Sequence, residues 1–451
     1  MPSTEQVEAV SAVFVRGERI YAVERQPYLH AFPGYHSFPG GKIEANEDVH
    51  ALNSSFCPTL DHFHFAALCR EMDEEVGLNL QMACDSGIIE SVEFLAMAEA
   101  PPFAPVRFRN WFYRIDLKDE VILKPDGGEF SWAEWKTPEE CLTQFASGEA
   151  LMVPPTRWML EKLAEDIGSR NLGDLSKQID EGERIPEMML LDGVKMLVVP
   201  SQTLPPAERT NAFRIGDAGT PQILIDPSPK SEKIYHVLMK TLASEKLDAV
   251  FLTHHHPDHH QFSTHLARER GLPVMLSEDC HRRILKTFGA DYFRGLEIRT
   301  LKKGDEITCW HGEKVRVHPV PGHDAGQLAL APESLAWFLV GDLIQGIGTV
   351  VISAPEGDMA NYFRTLDRVI SLQPKVIIPS HGVPMKGTYR LEATLKHRRE
   401  RESQVLELFR TGKKETEILK ILYHDVDVRL HPYALKNIQS HLTKLRQEKR
   451  L

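Results

Sequence analysis

The sequence predicts a multidomain protein of the α/β (α+β) class. Three observations carry this expectation. The 451 residues exceed one ordinary domain and suggest two or three. Between residues 185 and 388, short apolar runs alternate with helical patterns, as they do in layered α/β domains. The final stretch, 389–451, is helical in pattern and rich in Lys and Arg. The expected divisions are therefore 1–171, 185–388 and 389–451.

The elements follow in chain order. The first region opens with strand-like alternation at 9–15 and 19–23 and closes with a helical pattern at 156–164. The polar stretch 165–184 holds Gly168, Gly173 and Gly182 and reads as a linker. Strands are expected in the second region at 196–199, 222–225, 249–253, 315–320, 336–340 and 375–378. In the third, helices are expected at 399–410 and 415–423. A last helix follows, with Leu435, Ile438, Leu442 and Leu445 as its apolar stripe. Lys436, Gln439, Lys444 and Arg446 fall largely off that stripe and read as its exposed side.

Composition narrows the function classes. Hydrophobic content of 42% and charge of 26% fit a globular chain with sizeable cores. A net charge of −11 excludes a uniformly basic nucleic-acid coat. That average hides an asymmetry: residues 396–451 hold 14 Lys plus Arg against 8 Asp plus Glu, +6, leaving −17 on the rest. The cysteines Cys57, Cys69, Cys84, Cys141, Cys280 and Cys309 form no C-x-x-C pair, which points to reduced thiols rather than a disulfide framework. The N-terminus has no signal-peptide pattern. The most apolar stretch, 335–351, is broken by Asp342 and Gln345, too short and polar for a bilayer. The expectation is no membrane and a cytoplasmic location.

The segment Thr253-His254-His255-His256-Pro257-Asp258-His259-His260 follows the apolar run 247–252. Imidazoles and carboxylates this dense would be costly in a core without a partner. Three later segments answer it: Pro321-Gly322-His323-Asp324-Ala325-Gly326, Gly341-Asp342 and Ser380-His381-Gly382. Each follows an expected strand, so its His or Asp sits just past a C-terminal strand end. In layered α/β folds those ends open onto one crevice. Imidazole and carboxylate suit Zn²⁺ first and also accept Fe or Mn.

This pattern, His254-x-His256-x-Asp258-His259 with His323, Asp342 and His381, resembles the metallo-β-lactamase superfamily site. The resemblance covers the central region and implies an αββα sandwich. It implies that His254, His256 and His323 hold one divalent metal, that Asp258, His259 and His381 hold a second, and that Asp342 bridges them. Two metals can hold a bridging hydroxide and polarise a scissile bond. Asp258 would ligate metal and orient that hydroxide. Gln261 stands where the family often has Gly. The bridging Asp342, in place of a cysteine, resembles the thioesterase and nuclease branches rather than true lactamases. His255 and His260 fall outside the ligand pattern and read as supporting or solvent-facing residues, one of which could protonate a leaving group.

Near the N-terminus, Phe38-Pro39-Gly40-Gly41-Lys42-Ile43-Glu44 makes a turn. Arg70-Glu71-Met72-Asp73-Glu74-Glu75-Val76-Gly77-Leu78 follows downstream. On a helix, Glu71, Glu74 and Glu75 share one face, where carboxylates repel unless a cation sits among them. With Gly41 and Glu47 this resembles a Nudix box, which implies an α/β/α sandwich and Mg or Mn at Glu71, Glu74 and Glu75. The 22 residues between Glu47 and Arg70 exceed the family's usual spacer, so about 50–64 should loop out. Such an insertion resembles the coenzyme A diphosphatase type, as does Pro154-Pro155-Thr156-Arg157-Trp158.

The C-terminal helices resemble a winged-helix module. Together with His397-Arg398-Arg399-Glu400-Arg401-Glu402-Ser403-Gln404 they resemble the end of the mitochondrial lactamase-like endoribonucleases. That resemblance implies cleavage of single-stranded RNA, with the basic tail holding phosphates. The sequence therefore predicts a two-metal hydrolase in which metal-bound hydroxide attacks a phosphodiester, RNA-like substrate, with a second, Nudix-type site. Its rivals are a thioester, acyl-coenzyme A or lactone hydrolase of the hydroxyacylglutathione hydrolase type, and a non-catalytic nucleic-acid-binding or scaffold protein. The expected partner is thus RNA or a small thioester or nucleotide-derived substrate.

Overall fold

The computed structural model describes residues 6–47, 61–101, 104, 107–118, 121–176 and 180–451. Where the sequence suggests three regions, the chain gathers into two compact units. One runs to Asp180 and includes Leu190–Asp192; the other holds Glu181–Met189 and Gly193–Leu451.

In the first unit, strand Val7–Arg16 lies parallel to Phe108–Leu117 and antiparallel to Arg19–Arg25. Ile89–Glu99 pairs antiparallel with Phe108–Leu117. The stretch expected to be a linker instead adds a short parallel strand, Gly173–Asp174, beside Ile89–Glu99. Two residues carry no readable periodicity, so glycine punctuation hid it. Helix His62–Val76 starts where the Asp61 side chain accepts from the Phe63 and His64 amides, and ends at Gly77 with φ +63°. Phe65, Leu68, Met72 and Val76 recur at helical spacing and pack onto Val10, Ala12 and Phe14 of the sheet. Residues 50–60 of the expected looped insertion lie outside the described residues. Its end is helical: His62–His64 form the first turn, and His64 Nδ1 meets the Tyr113 hydroxyl at 2.6 Å.

The second unit carries two sheets. One includes, in spatial order, Ile298–Leu301, Val274–Ser277, Ala249–Phe251, Ile223–Ile225, Arg209–Ile215 and Val194–Pro200. The other runs Glu306–Trp310, Glu313–Pro319, Leu328–Pro332, Phe338–Gly341, Val376–Pro379, Met385–Lys386. Strands alternate by twos, so one face of each sheet meets helices and the other meets the opposite sheet. Leu197, Val199, Leu224 and Val250 pack with the helices Glu232–Thr241, Ser263–Arg270 and Glu278–Phe288. Ala329, Phe338, Val340 and Ile377 pack with the helices Met359–Leu372 and Tyr389–Arg410. The intervening Phe213, Phe251, Leu330, Leu339 and Ile378 are buried as well. The result is the four-layer order of helices, sheet, sheet, helices.

Helices Tyr389–Arg410, Glu415–Leu422 and His431–Gln447 close the chain. Val405, Ile418, Leu419, Ala434, Ile438 and Leu442 form their own small core. Lys444, expected to be exposed, is 7% exposed, because its ammonium bonds to Glu402 Oε1 at 2.9 Å. Cys84, Cys141 and Cys280 are buried and Cys69 and Cys309 half-buried, with no disulfide among these five; Cys57 lies outside the described residues. Among the described residues no helix is long and apolar enough to cross a membrane.

Candidate metal centre

Four strand ends build the site. Ala249–Phe251 leads into His254 and His256 and then the short helix Pro257–His260. Glu313–Pro319 leads to His323, Phe338–Gly341 to Asp342, and Val376–Pro379 to His381. The sheets are tied beside the site, where the Leu328 amide bonds Thr253 O and the Asn211 amide bonds Ser380 O. Gly322 is required at its turn: its φ is +148°, and a Cβ would lie 2.4 Å from the Tyr362 Cα.

The seven expected ligand positions come together. His254 Nε2 and His323 Nε2 stand 3.0 and 2.9 Å from His256 Nδ1. Asp258 Oδ2 is 3.8 Å from His259 Nε2 and 3.6 Å from His381 Nε2. Asp342 lies between the groups, with Oδ1 3.6 Å from His259 and 3.5 Å from His381, and Oδ2 3.9 Å from His323. Donors bound around one ion at about 2.1 Å stand roughly 3.4 Å apart, so the 3.5–3.9 Å separations around Asp258 and Asp342 suit shared cations better than hydrogen bonds, while the 2.9–3.0 Å contacts of His256 are of hydrogen-bond length. His254, His259 and His381 are at most 1% exposed, whereas His256 and Asp258 are half-buried and form the open side.

Proton positions give a stricter test. His323 Nδ1 donates to Val351 O at 2.9 Å and His381 Nδ1 to Arg209 O at 2.8 Å, since carbonyls only accept. His259 Nδ1 donates to Asp226 Oδ2 at 2.8 Å. The Thr253 hydroxyl donates to Asp226 Oδ2, so its oxygen accepts from His254 Nδ1 at 3.0 Å. All four outward nitrogens thus hold protons, and all four Nε2 atoms face the cluster. His259 Nε2, His381 Nε2 and Asp342 Oδ1 are buried without hydrogen-bond partners among the described residues. Converging lone pairs and carboxylates fit divalent cations.

Burial and the neighbouring imidazoles hold His254 and His256 well below the ordinary histidine range, hence neutral. At His259 burial works against charge, yet Asp258, Asp342 and Asp226 outweigh it and hold its pKa well up. That half of the site carries a strongly negative potential.

His255 and His260 are not solvent-facing. His255 is 9% exposed and its Nδ1 lies 2.6 Å from Asp324 Oδ2. His260 is 1% exposed, with its ring nitrogens 2.7 Å from the Tyr292 hydroxyl and 2.9 Å from His255 O. Both nitrogens of His260 are engaged, which removes it as a proton donor to a leaving group. Sequence reasoning missed Asp226 and Asn211. Asp226 stands just past strand Ile223–Ile225, the same signal that marks the ligands. The Asn211 amide bonds Gly382 O at 2.7 Å and holds the His381 turn.

In the first unit, Glu47 and Gly41 stay with the helix despite the long spacer. Arg70 bonds Glu47 Oε1 at 2.8 Å, Glu71 Oε1 at 2.7 Å and Glu74 Oε2 at 3.3 Å. The Gly40 amide donates to Glu75 Oε2 at 2.6 Å. A Cβ on Gly41 would lie 2.1 Å from Glu71 Oε1, so glycine alone lets that carboxylate approach. Burial pushes Glu75 up to about 8. Glu71 and Glu75 are buried, while the Glu74 side chain is 61% exposed.

Comparison with known proteins agrees with the central geometry. Residues 205–381 match the metallo-beta-lactamase superfamily, and 415–451 match the beta-lactamase associated winged helix domain. A Beta-lactamase-like protein 2 homolog of Drosophila melanogaster is 30% identical over 258 residues, covering 54% of this chain and 84% of that protein. A hydroxyacylglutathione hydrolase of Bdellovibrio bacteriovorus is 29% identical over 164 residues, 36% of this chain and 58% of that one. The crystal structure of a beta-lactamase domain protein from Burkholderia ambifaria shares the fold, with a TM-score of 0.51 at 21% identity, over 60% of this chain and 90% of that one.

Proposed function

Because the chain belongs to the metallo-beta-lactamase superfamily, we propose that it is a two-metal hydrolase that cleaves phosphodiester bonds in RNA. His254, His256 and His323 would hold one divalent ion, Asp258, His259 and His381 the other, with Asp342 between them. Zinc suits this donor set first, with iron or manganese next. The observation that carries this reading is the set of four outward Nδ1 hydrogen bonds, which aims the Nε2 atoms of His254, His259, His323 and His381 at the cluster. Divalent ions bound there supply Lewis acidity and lower the pKa of water. The chain's residues do the rest. Asp226, Val351 O and Arg209 O fix the imidazole tautomers. Asp258, half-open to solvent, orients the attacking water by accepting its hydrogen bond.

The phosphodiester assignment is supported by the match to a winged-helix domain at 415–451 and by the +6 charge of 396–451. The test is cleavage of a labelled single-stranded RNA by metal-loaded protein, wild type beside Asp258→Ala. Cutting by wild type alone is the expected result. A second reading, thioester hydrolysis, is favoured by the similarity to hydroxyacylglutathione hydrolases. Turnover of an acyl-thioester with RNA left intact would replace the first reading by the second. Metal-loaded protein inactive on both, yet binding RNA, would make it a binding or scaffold protein.

The N-terminal unit carries a separate proposal, a Nudix-type diphosphatase site that takes Mg or Mn at Glu71, Glu74 and Glu75. Its support is the approach of Gly40, Gly41 and Glu47 to that helix. Arg70 already lies among these carboxylates, so a cation must share their oxygens with it. Magnesium-dependent hydrolysis of coenzyme A, lost in Glu75→Gln, is expected; equal activity in the variant would sink the site.

A further inference from the structure

The segment 342–358 joins strand Phe338–Gly341 to helix Met359–Leu372 with no helix or strand of its own. Its backbone groups must therefore find partners elsewhere. Two residues, Val350 and Ile352, find them in the C-terminal helices. Arg398 Nη2 donates to Val350 O. The Ile352 amide donates to Asn437 Oδ1 at 2.8 Å, and the Ser440 hydroxyl donates to Ile352 O at 2.7 Å. The carbonyl enclosed between them, Val351 O, is the acceptor for His323 Nδ1 at 2.9 Å. Arg398, Asn437 and Ser440 are 2%, 5% and 9% exposed, so water does not compete freely for these bonds.

We propose that Arg398, Asn437 and Ser440 are positioning residues that hold His323 in its metal-binding orientation by clamping the Val350–Ile352 backbone. The inference rests on the two-metal reading above. The C-terminal helices are thus more than a handle for substrate: they complete the His254, His256 and His323 half of the site. The His323 main chain has anchors of its own, since the Asp358 amide bonds Gly322 O and the Ala325 amide bonds Glu356 O. The clamp reaches the His323 side chain through the Val351 carbonyl. If the Val351 carbonyl turns away, the Nδ1 proton loses its acceptor. The ring can then rotate or exchange tautomers, and Nε2 no longer presents its lone pair beside His256 Nδ1. The Asp258, His259 and His381 half has different supports, Asp226 and Arg209 O, and is left intact.

The test is a cobalt(II) titration of metal-stripped full-length protein, followed by calorimetry and by the visible absorption of each site. Wild type should bind two ions. Asn437→Ala combined with Ser440→Ala should bind one ion unchanged and the other about 10–100-fold more weakly. Asn437→Asp, which keeps the acceptor oxygen, with Ser440→Thr, which keeps the hydroxyl, should restore the second. Ile418→Ala serves as a control, because it loosens the small C-terminal core without touching the clamp. Equal loss of the same ion in Ile418→Ala would overturn the proposal, making the effect general destabilisation. Two tight sites in the double alanine variant would overturn the clamp alone. A wild type that binds no cobalt would overturn the two-metal reading and the clamp with it.

Discussion

Asp226 Oδ2 lies 2.8 Å from His259 Nδ1, and both residues are at most 1% exposed. The same carboxylate takes the Thr253 amide at 2.8 Å on its other oxygen and the Thr253 hydroxyl at 2.6 Å. One side chain therefore sets the tautomer of His259 directly and of His254 through Thr253. Its φ of +47° puts it in the left-handed region, which Asp tolerates better than most residues.

Asp226→Asn tests that role. An amide group cannot accept on both of its heteroatoms, so at least one of the three bonds is lost. Metal affinity should fall about 10–100-fold, measured by calorimetric titration, with the helical and sheet signals of circular dichroism kept. Wild-type affinity for both ions would refute the assignment.

Gly322 tests the turn that delivers His323. Alanine there combines an unfavourable φ with a clash against the Tyr362 backbone, which belongs to a buried helix. Gly322→Ala should destabilise by about 1–3 kcal/mol from overpacking alone. It should also lower metal binding at the His254, His256 and His323 half. Urea unfolding and metal content together check this; a shift in neither would mean that the turn accommodates a side chain.

The gathering of these His and Asp side chains was legible in the sequence because they are costly in a core without a partner and recur just past apolar strands. The support around it left little trace. Val351 and Arg209 act through backbone carbonyls, which any residue type supplies. Asn437 and Ser440 sit on a helix whose Leu and Ile stripe reads clearly, but a polar residue beside such a stripe reads as solvated. Lys444 misled for the same reason, since its partner Glu402 lies on a different helix. Asp226 was readable in principle, as an Asp following the Ile223–Ile225 strand, but it stands alone, without the neighbouring His that marks most of the ligand segments. The strand at Gly173–Asp174 was too short to show a period. The boundaries of the central strands, by contrast, fell within a few residues of expectation, because runs such as Val376–Pro379 are apolar on both faces.

Glu402 connects the C-terminal helices electrostatically. Its Oε1 accepts from Lys444 at 2.9 Å and Arg450 at 2.7 Å. Burial alone would raise its pKa, but the bonds from His441 and Lys444 and the Lys444 charge outweigh it and hold the carboxyl at about 2. The folded pKa lies below the unfolded one of about 4.3. Its contribution is therefore present above pH ~4.3 and lost as pH falls towards 2. Glu402→Gln should cost about 3 kcal/mol near neutral pH, the low end for a broken buried pair, because Lys444 keeps Glu448 at 2.9 Å. The variant should also lose less stability than wild type between pH 4.3 and 2. Parallel acid-unfolding curves would contradict the assignment.

RNA binding by the basic helices can be tested only without removing them. Deleting 396–451 would take away Arg398, Asn437 and Ser440, and with them the clamp beside His323, so lost activity would not identify a nucleic-acid handle. Lys413, Lys420 and Lys436 are exposed and touch neither the clamp nor the metal cluster. Replacing all three with alanine should leave bound metal unchanged. If they neutralise phosphates of single-stranded RNA, the slope of log affinity against log salt should fall in magnitude by about 0.7 for each phosphate no longer neutralised, roughly 2 for all three. Filter binding of a labelled single strand across a salt series measures this. An unchanged slope would make those lysines a solvated face and leave the C-terminal helices with the clamp as their role.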